Sequence, residues 1–391
     1  MNICTIAPGF NRHGGVPYVA RNMVDQLALR GANCWIVTDQ QSSDDVDGLS
    51  VELPIYTRER GESRFPLNIV NYARKIRPLV ERLDREHDLD IIHTHGNYVL
   101  ATILTDYVSS IDATTVTTIH DTHLPEINAF TEYPSFEGKW KYCAGIYIDY
   151  RIQRFSARRV DKVHTVGSRV VSELSDRGVD PNDIGLVHNG IDLDEFDSAT
   201  VRSDIRDKYD LGDRDLIISV GSVRPRKGIH TLVEAADIIR EHRPDVRIVH
   251  IGGYGRTGYI DYIEDRIDSL GLEDTVSLIG SVPRAELLGW FDACDVLVSP
   301  SYSEGNPINV LEAAASECSI VTTEVWDARE ILGNDGVFVT PGSPSSLASG
   351  IRRGLDADAG CALRERVEAE YTWNEVGDDH YAIFESWVNE R

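Results

Sequence analysis

Val296–Glu312 reads VLVSPSYSEGNPINVLE. The apolar run Val296-Leu297-Val298 ends in Ser299-Pro300, as a buried parallel strand would. A short loop follows, carrying Glu304 and Gly305. Asn306-Pro307 then reads as a helix start, because Asn can cap free amides and Pro suits the first helical position. Glu312 falls about a turn and a half into that helix. One carboxylate is therefore expected in the loop and another on the helix, with the helix-start backbone N–H groups around Gly305, Asn306 and Ile308 between them. Carboxylates accept from hydroxyls and a helix N-terminus attracts anionic oxygens, so the arrangement suits a polyhydroxylated or phosphorylated ligand. The same spacing also fits a solvated helix start with two surface acids.

The unit repeats on both sides of this stretch. Leu216–Val220, Arg247–Ile251, Val276–Ile279, Ile320–Thr323 and Val337–Val339 read as strands. Helical patterns over Ile229–Arg240, Tyr259–Leu270, Ala285–Asp292 and near Ser345–Leu355 separate most of them. Strands and helices alternating at this spacing mean a parallel sheet. The loop Gly221–Gly228 contains Ser222 and concentrates Arg224, Arg226 and Lys227 at a helix start. Cations are unfavourable there unless an anion lies between them and the helix dipole. The loop is expected to hold a polyanion, and charge-assisted bonds to a diphosphate could replace a divalent metal. The alternative is a surface loop balanced by Glu234 and its neighbours.

The first half follows the same plan. Ile3–Ala7 reads as a strand, Pro8–Gly15 as a loop, Val16–Arg30 as a helix with Val19, Met23, Leu27 and Leu29 on one face, and Trp35–Thr38 as the next strand. Right-handed crossover makes the two strands parallel. Gly14-Gly15 would let backbone amides approach a phosphate, although a simple tight turn fits as well. The spacing is not that of a dinucleotide fingerprint. Ile91-Ile92 and Thr115–Ile119 run into His93, His95, His120 and His123, at the strand ends where ligands gather in open α/β sheets. A zinc or metal-pair site is the rival reading, and structural histidines are a third. Val163–Val166 and Leu186–Val187 complete this half, and an Asp- and Arg-rich linker spans Asp192–Asp215. The pattern is that of two Rossmann-like domains in series, with loops facing a common cleft.

At 391 residues, two domains are the natural expectation. The formal net charge of −25 argues against a nucleic-acid partner. With many Asp and Arg and few Lys, it points to a halophilic source. Against that acidic background, Phe130–Lys162 and Asn68–Leu83 form basic islands, the first rich in aromatics. They read either as ordinary amphipathic surface helices or as a surface touching anionic lipid head groups or a charged carrier. The acidic cluster Asp44–Asp47 is short enough to be a loop. Cys4, Cys34, Cys143, Cys294, Cys318 and Cys361 show no paired spacing and are expected as small buried hydrophobes rather than ligands or disulfides. No signal peptide pattern or membrane-span length of apolar residues is seen, so a cytoplasmic location is expected.

An ordered set of residues carries a resemblance over nearly the whole chain. It comprises Gly14-Gly15-Val16, Asp90–His95, Thr118–Asp121, His188–Asp192, Val220-Gly221 with Lys227-Gly228, Gly280–Leu287, Ser299-Pro300-Ser301, Glu304-Gly305 with Leu311-Glu312-Ala313, and Tyr371-Thr372-Trp373. The chain resembles the retaining glycosyltransferases of family four, which have the GT-B fold. The resemblance implies an acceptor-side domain over 1–195, a nucleotide-sugar donor domain over 196–373, and a final helix over 374–391 that crosses back to the first.

Carried over position by position, the resemblance implies that Lys227 neutralises the donor diphosphate and that the Gly14-Gly15 amides approach the distal phosphate. Glu312 would accept from the ribose hydroxyls, Glu304 would lie beside the transferred sugar, and His120 would contact it near the reacting carbon. The Gly280–Val282 segment, with Ser281, would hold the base, and Glu330 matches an acidic position near the nucleotide. The nucleotide sugar is a substrate, and neither cofactor nor metal is implied. The acceptor would be a glycan, glycolipid or other lipid-linked molecule. The chain departs from the family pattern at Ser222, where Arg is usual, leaving Arg224 or Arg226 to supply the charge. It departs again at Glu317, Ser319 and Trp326-Asp327. Ser222 keeps open a donor-binding assembly partner without turnover, and the histidines keep open a metallohydrolase.

Overall fold

The computed structural model describes residues 1–7, 10, 15–38, 49–51, 53–57, 67–96, 112–197, 205–254, 258–357 and 359–390. Gly14 and the acidic run Asp44–Asp47 lie outside them. The chain forms two compact units. The first comprises Met1–Thr122, Ile148–Gly190 and Trp373–Arg391, and the second His123–Tyr147 and Ile191–Thr372.

The first unit holds strands β1 (Asn2–Ala7), β2 (Asn33–Thr38), β3 (Ile55–Thr57), β4 (Ile91–His95), β5 (Thr114–Ile119), β6 (Lys162–Thr165) and β7 (Ile184–Leu186). They form one sheet in the order β3-β2-β1-β4-β5-β6-β7, with every pairing parallel. Most strand residues are buried, which is why these strands read as near-continuous apolar or Thr-rich runs. Tyr72, Ile76, Val80 and Leu83 of helix Leu67–His87 share a core with Cys4, Ile6, Val37 and Ile92. The final helix, Trp373–Asn389, packs on helix Gly15–Leu29, where Trp373 Nε1 donates to Tyr18 Oη at 3.3 Å. Arg30 reinforces that seam by bonding Asp378 at 2.6 Å and the Asn374 carbonyl at 2.7 Å.

The second unit holds β8 (Leu216–Val220), β9 (Arg247–Ile251), β10 (Val276–Gly280), β11 (Val296–Ser299), β12 (Ser319–Thr323) and β13 (Val337–Val339). Their order is β10-β9-β8-β11-β12-β13, again all parallel. Apolar clusters cover both faces, one around Trp290, Leu311 and Ile331 and the other around Leu232, Ile239, Ile263 and Ile351. Part of the expected linker belongs to this core, since Ile205 and Leu211 are each 2% exposed. The segment His123–Tyr147 groups with this unit through Tyr133, which meets Tyr302 edge to face, and Phe136, which meets Tyr259.

Two local expectations are corrected. The helix after β11 begins at Ile308, and Pro307, with ψ 114°, occupies the N-cap without a side-chain cap bond. Asn306 stands one position too early to cap, and as the residue before proline it is held away from helical backbone. Cys294 and Cys318 are joined as a disulfide, although their separation of 24 residues gives no local signal. The register explains it. Val296 pairs with Ser319 between β11 and β12, which sets the residues just before both strands side by side.

Candidate active site

In an open parallel sheet, two loops diverge where the strand order reverses, leaving a crevice beyond the strand carboxyl ends. In the second unit that point lies between β8 and β11. The two loops there are Gly221–Gly228 and Pro300–Pro307. Glycine lets them touch. Gly228 has φ +66°, and a Cβ at that position would stand 2.2 Å from the Pro300 carbonyl oxygen. Gly252, with φ +155°, lies so close beneath the first loop that a Cβ would meet Gly221 O at 1.8 Å.

Charged groups from the two loops converge. Lys227 Nζ bonds Glu304 Oε1, which also accepts from Ser301 Oγ at 2.6 Å. Arg226 Nη1 donates to the Ser303 carbonyl at 2.9 Å and reaches Glu304 Oε2 at 3.4 Å. Glu304 is 5% exposed. Burial pushes its carboxyl pKa up, but Lys227, Arg226 and the bonds from Lys227 and Ser301 together outweigh burial and hold it below the ordinary range. The result is a buried carboxylate that fixes two cations at a strand-to-helix loop. Glu234, the expected counter-charge, pairs elsewhere, with Arg266 at 3.5 Å.

The loop after β11 is itself braced. Tyr302 N donates to Arg226 O at 2.7 Å, and Thr323 Oγ1 donates to Ser301 O at 2.7 Å. Behind it, His230 bridges Tyr259 Oη at 2.8 Å and Tyr302 Oη at 3.1 Å. Burial, with Lys139 adding to it, lowers the His230 pKa to about 4, so the bridge is made by a neutral ring. Asn309 Nδ2 donates to the Val220 carbonyl at 2.9 Å, tying the helix to the end of β8.

Glu312 is 5% exposed. Arg284 Nη1 bonds its Oε1, and the same guanidinium holds Glu195 Oε2 through Nε at 3.0 Å and Nη2 at 2.6 Å. One arginine therefore sets the position of the second carboxylate. Arg284, Glu195, Ser301 and His230 were not singled out as site residues from sequence. Two of them, Arg284 and Ser301, lie inside the quoted stretches Gly280–Leu287 and Ser299–Ser301.

The remaining positions differ in environment. Of the two arginines that could stand in for the residue usual at Ser222, Arg226 is drawn to Glu304 while Arg224 is exposed. Ser222 and Gly305 are partly exposed, Asn306 and Pro307 are buried, and Ile308 opens the helix. Ser281 is exposed, with its Oγ 3.0 Å from where a Cβ on Gly253 would lie.

Gly15 and His120 belong to the first unit. Gly15 opens its helix, with nothing within 4 Å of a Cβ position. His120 follows β5, and its Nε2 lies 3.1 Å from His95 Nδ1. Burial lowers its pKa to about 4, against a smaller upward pull from Asp121. Behind it, His93 Nε2 meets Thr118 Oγ1 at 2.7 Å, and Thr118 Oγ1 lies 3.2 Å from His164 Nδ1. Among the described residues of this unit, no three His, Cys, Asp or Glu ligand atoms gather within 4.8 Å. His123 falls in the second unit, with φ +57° and its Nδ1 3.4 Å from Glu126 Oε2.

Comparison with known proteins gives a separate match for each half of the chain. Residues 201–370 match the family described as glycosyl transferases group 1, and residues 13–195 match glycosyltransferase family 4. A D-inositol 3-phosphate glycosyltransferase of Kineococcus radiotolerans is 29% identical over 55% of this chain and 54% of its own length. A glycosyltransferase of Methanocaldococcus jannaschii is 28% identical over 62% and 65%. The chain thus spans about half to two-thirds of the length of these curated relatives. Among solved structures, sucrose-phosphate synthase from Thermosynechococcus elongatus superposes with TM-score 0.80 at 19% identity, covering 100% of both chains. The Anabaena protein HepE in complex with UDP and glucose gives 0.76 at 15% identity, covering 98% of this chain and 99% of that one.

Proposed function

Because the chain belongs to the group 1, family 4 glycosyltransferases and has the GT-B fold, we propose that it moves a sugar from a nucleotide diphosphate-sugar to a hydroxyl of a glycan, glycolipid or other lipid-linked acceptor. Transfer retains the anomeric configuration and uses no metal. The observation that carries this reading is the cation pair of Arg226 and Lys227 held on buried Glu304 at the strand-order reversal. Departure of a nucleoside diphosphate places new negative charge on a phosphate oxygen. Fixed cations and the amides of a helix start stabilise that charge without reorganising at the moment of reaction. In this reading Lys227 and Arg226 face the diphosphate, while Glu304 orients them and touches the sugar.

Glu312, aimed by Arg284, accepts from the ribose, and Gly221, Ser222 and Ser281 line the nucleotide. The family resemblance also gives His120 a contact with the sugar and Gly14 and Gly15 an approach to the distal phosphate. The acceptor oxygen forms the new bond to the anomeric carbon as the bond to the leaving phosphate breaks, and the acceptor proton leaves with the diphosphate. HepE has been solved with UDP-glucose, which makes uridine donors the first to try. The test is a thermal-shift screen over nucleotide sugars, with transfer assayed on the hits in excess chelator. A donor at a hundred times its dissociation constant stabilises by about 2.7 kcal/mol. No shift with any nucleotide sugar, or activity abolished by chelator, would overturn the reading.

A further inference from the structure

Parallel register gathers histidines on one face of the first sheet. His95 pairs with Thr118 across β4 and β5, and Thr118 pairs with His164 across β5 and β6. Side chains alternate along a strand, so His93 shares the face of His95, and His120 follows Thr118 by two residues. Phe384 of the final helix packs over them, meeting the His93 ring edge to face at 5.1 Å. His95 is fully buried, while His120, at the carboxyl end of β5, is partly exposed. Their rings lie 24° from parallel, with His95 Nδ1 at 3.1 Å from His120 Nε2. Among the described residues, His95 Nε2 is buried and meets no hydrogen-bond partner.

We propose that His95 is a positioning residue for His120: its Nδ1–H donates to His120 Nε2, so that His120 presents its own Nδ1–H to a substrate oxygen. A hydrogen bond between nitrogens of two neutral rings carries one proton. Both rings are neutral at pH 7. Burial, reinforced by His93 and the neighbouring imidazoles, holds His95 well below its ordinary value, and burial lowers His120 to about 4 against the pull of Asp121. If the shared proton belonged to His120, His95 would accept at Nδ1 and carry its own proton on Nε2. That would bury an N–H donor with no acceptor, the rarer kind of unpaired group in protein interiors. With the proton on His95 Nδ1, only a lone pair is left unpaired there. An imidazole's tautomer is set by the bond its other nitrogen makes, so the proton of His120 falls on Nδ1. A ring with Nε2 occupied and Nδ1 protonated can donate to the substrate but cannot take up the acceptor's proton. That agrees with the proton leaving with the diphosphate. The inference rests on the sugar contact proposed above for His120 and adds the residue that orients its ring.

The test has a spectroscopic and a kinetic arm, both on the full chain. Long-range proton–nitrogen NMR of histidine-labelled protein reads the tautomer without any ligand, the His120 signals being assigned by their loss in His120→Gln. A proton on Nδ1 of His120 and none on its Nε2 is expected at neutral pH. His95→Phe should shift that proton to Nε2, the tautomer that prevails for an imidazole side chain free in water. In transfer assays His95→Phe should lower kcat/KM about five- to ten-fold, the size of one lost hydrogen bond. His95→Asn, whose amide can donate from nearly the position of Nδ1, should restore most of that loss. Melting curves show that the variants are folded. A proton on His120 Nε2 in the unaltered protein overturns the proposal. So does full kcat/KM in folded His95→Phe, or a folded His95→Asn no better than His95→Phe. If the unaltered protein transfers from no nucleotide sugar, the transfer reading fails, and the spectrum alone decides the tautomer and with it this proposal.

Discussion

Lys227, from the loop after β8, and Glu304, from the loop after β11, are 77 residues apart and share a buried ion pair. The pair exists because β8 and β11 are sheet neighbours with diverging loops, and Gly228 lets those loops touch. Removing one partner of a buried pair strands the other charge. Lys227→Ala is therefore expected to lower stability by up to about 3 kcal/mol, moderated by Arg226 and Ser301, and to lower turnover by roughly 10²-fold or more. Lys227→Met with Glu304→Gln should restore the urea midpoint and leave turnover lost. If the double variant recovers transfer, the charges serve the fold and not the leaving group.

Arg284 supports a separate expectation. It holds both Glu195 and Glu312, so its loss leaves the half-buried Glu195 and the buried Glu312 without their shared cation. Arg284→Ala should raise KM for the nucleotide sugar about ten-fold with a smaller effect on kcat, the pattern of lost ground-state binding. Glu312→Gln should raise KM similarly while keeping stability, and Glu195→Gln should do little to either. A fall in kcat at unchanged KM for Arg284→Ala would remove it from ribose positioning.

The alternation of strands and helices was legible in the chain because both sheets are parallel and covered on both faces, which makes each strand a short apolar run. The charged loop and both carboxylates were legible for a related reason: loops at the carboxyl ends of parallel strands are where such groups collect. What did not show was pairing over long separations. Arg284 meets Glu195 across 89 residues, and nothing local to either marks the other. Pro307 looked like a first helical residue because its φ fits one, but its ψ of 114° is extended, and ψ has no signature in composition. Cys294 and Cys318 depend on the β11–β12 register, which exists only in the sheet.

The disulfide makes a direct prediction. Six cysteines are present, and four of them are free thiols. Denatured, unreduced protein should titrate four thiols, rising to six after reduction. In the native state Cys361 is exposed and should label first, with Cys143 slower. Cys4 and Cys34 should resist labelling, because burial pushes both thiols up to about 12 and leaves almost no thiolate at neutral pH. Six thiols before reduction would show that Cys294 and Cys318 are not joined.

The buried histidines of the first unit set an acid limit. Burial, with mutual repulsion among the imidazoles, lowers His93 to about 3, and burial lowers His380 to about 3 despite a backbone bond at His188. His120 falls to about 4, and His95 and His164 also lie well below the ordinary value of 6.5. The sign follows from proton binding. Between the unfolded and folded values the unfolded chain holds more protons, so stability rises with pH. The stabilisation is present above about pH 6.5 and is lost progressively as pH falls toward 4. Glu304, held below the ordinary carboxylate range, adds a loss at the acid end of that window. The urea midpoint should fall steadily over this range, and His380→Leu, unable to take up that proton in either state, should show a shallower fall. An unchanged slope in His380→Leu, or a midpoint that rises toward acid, would mean that these rings are protonated in the folded protein.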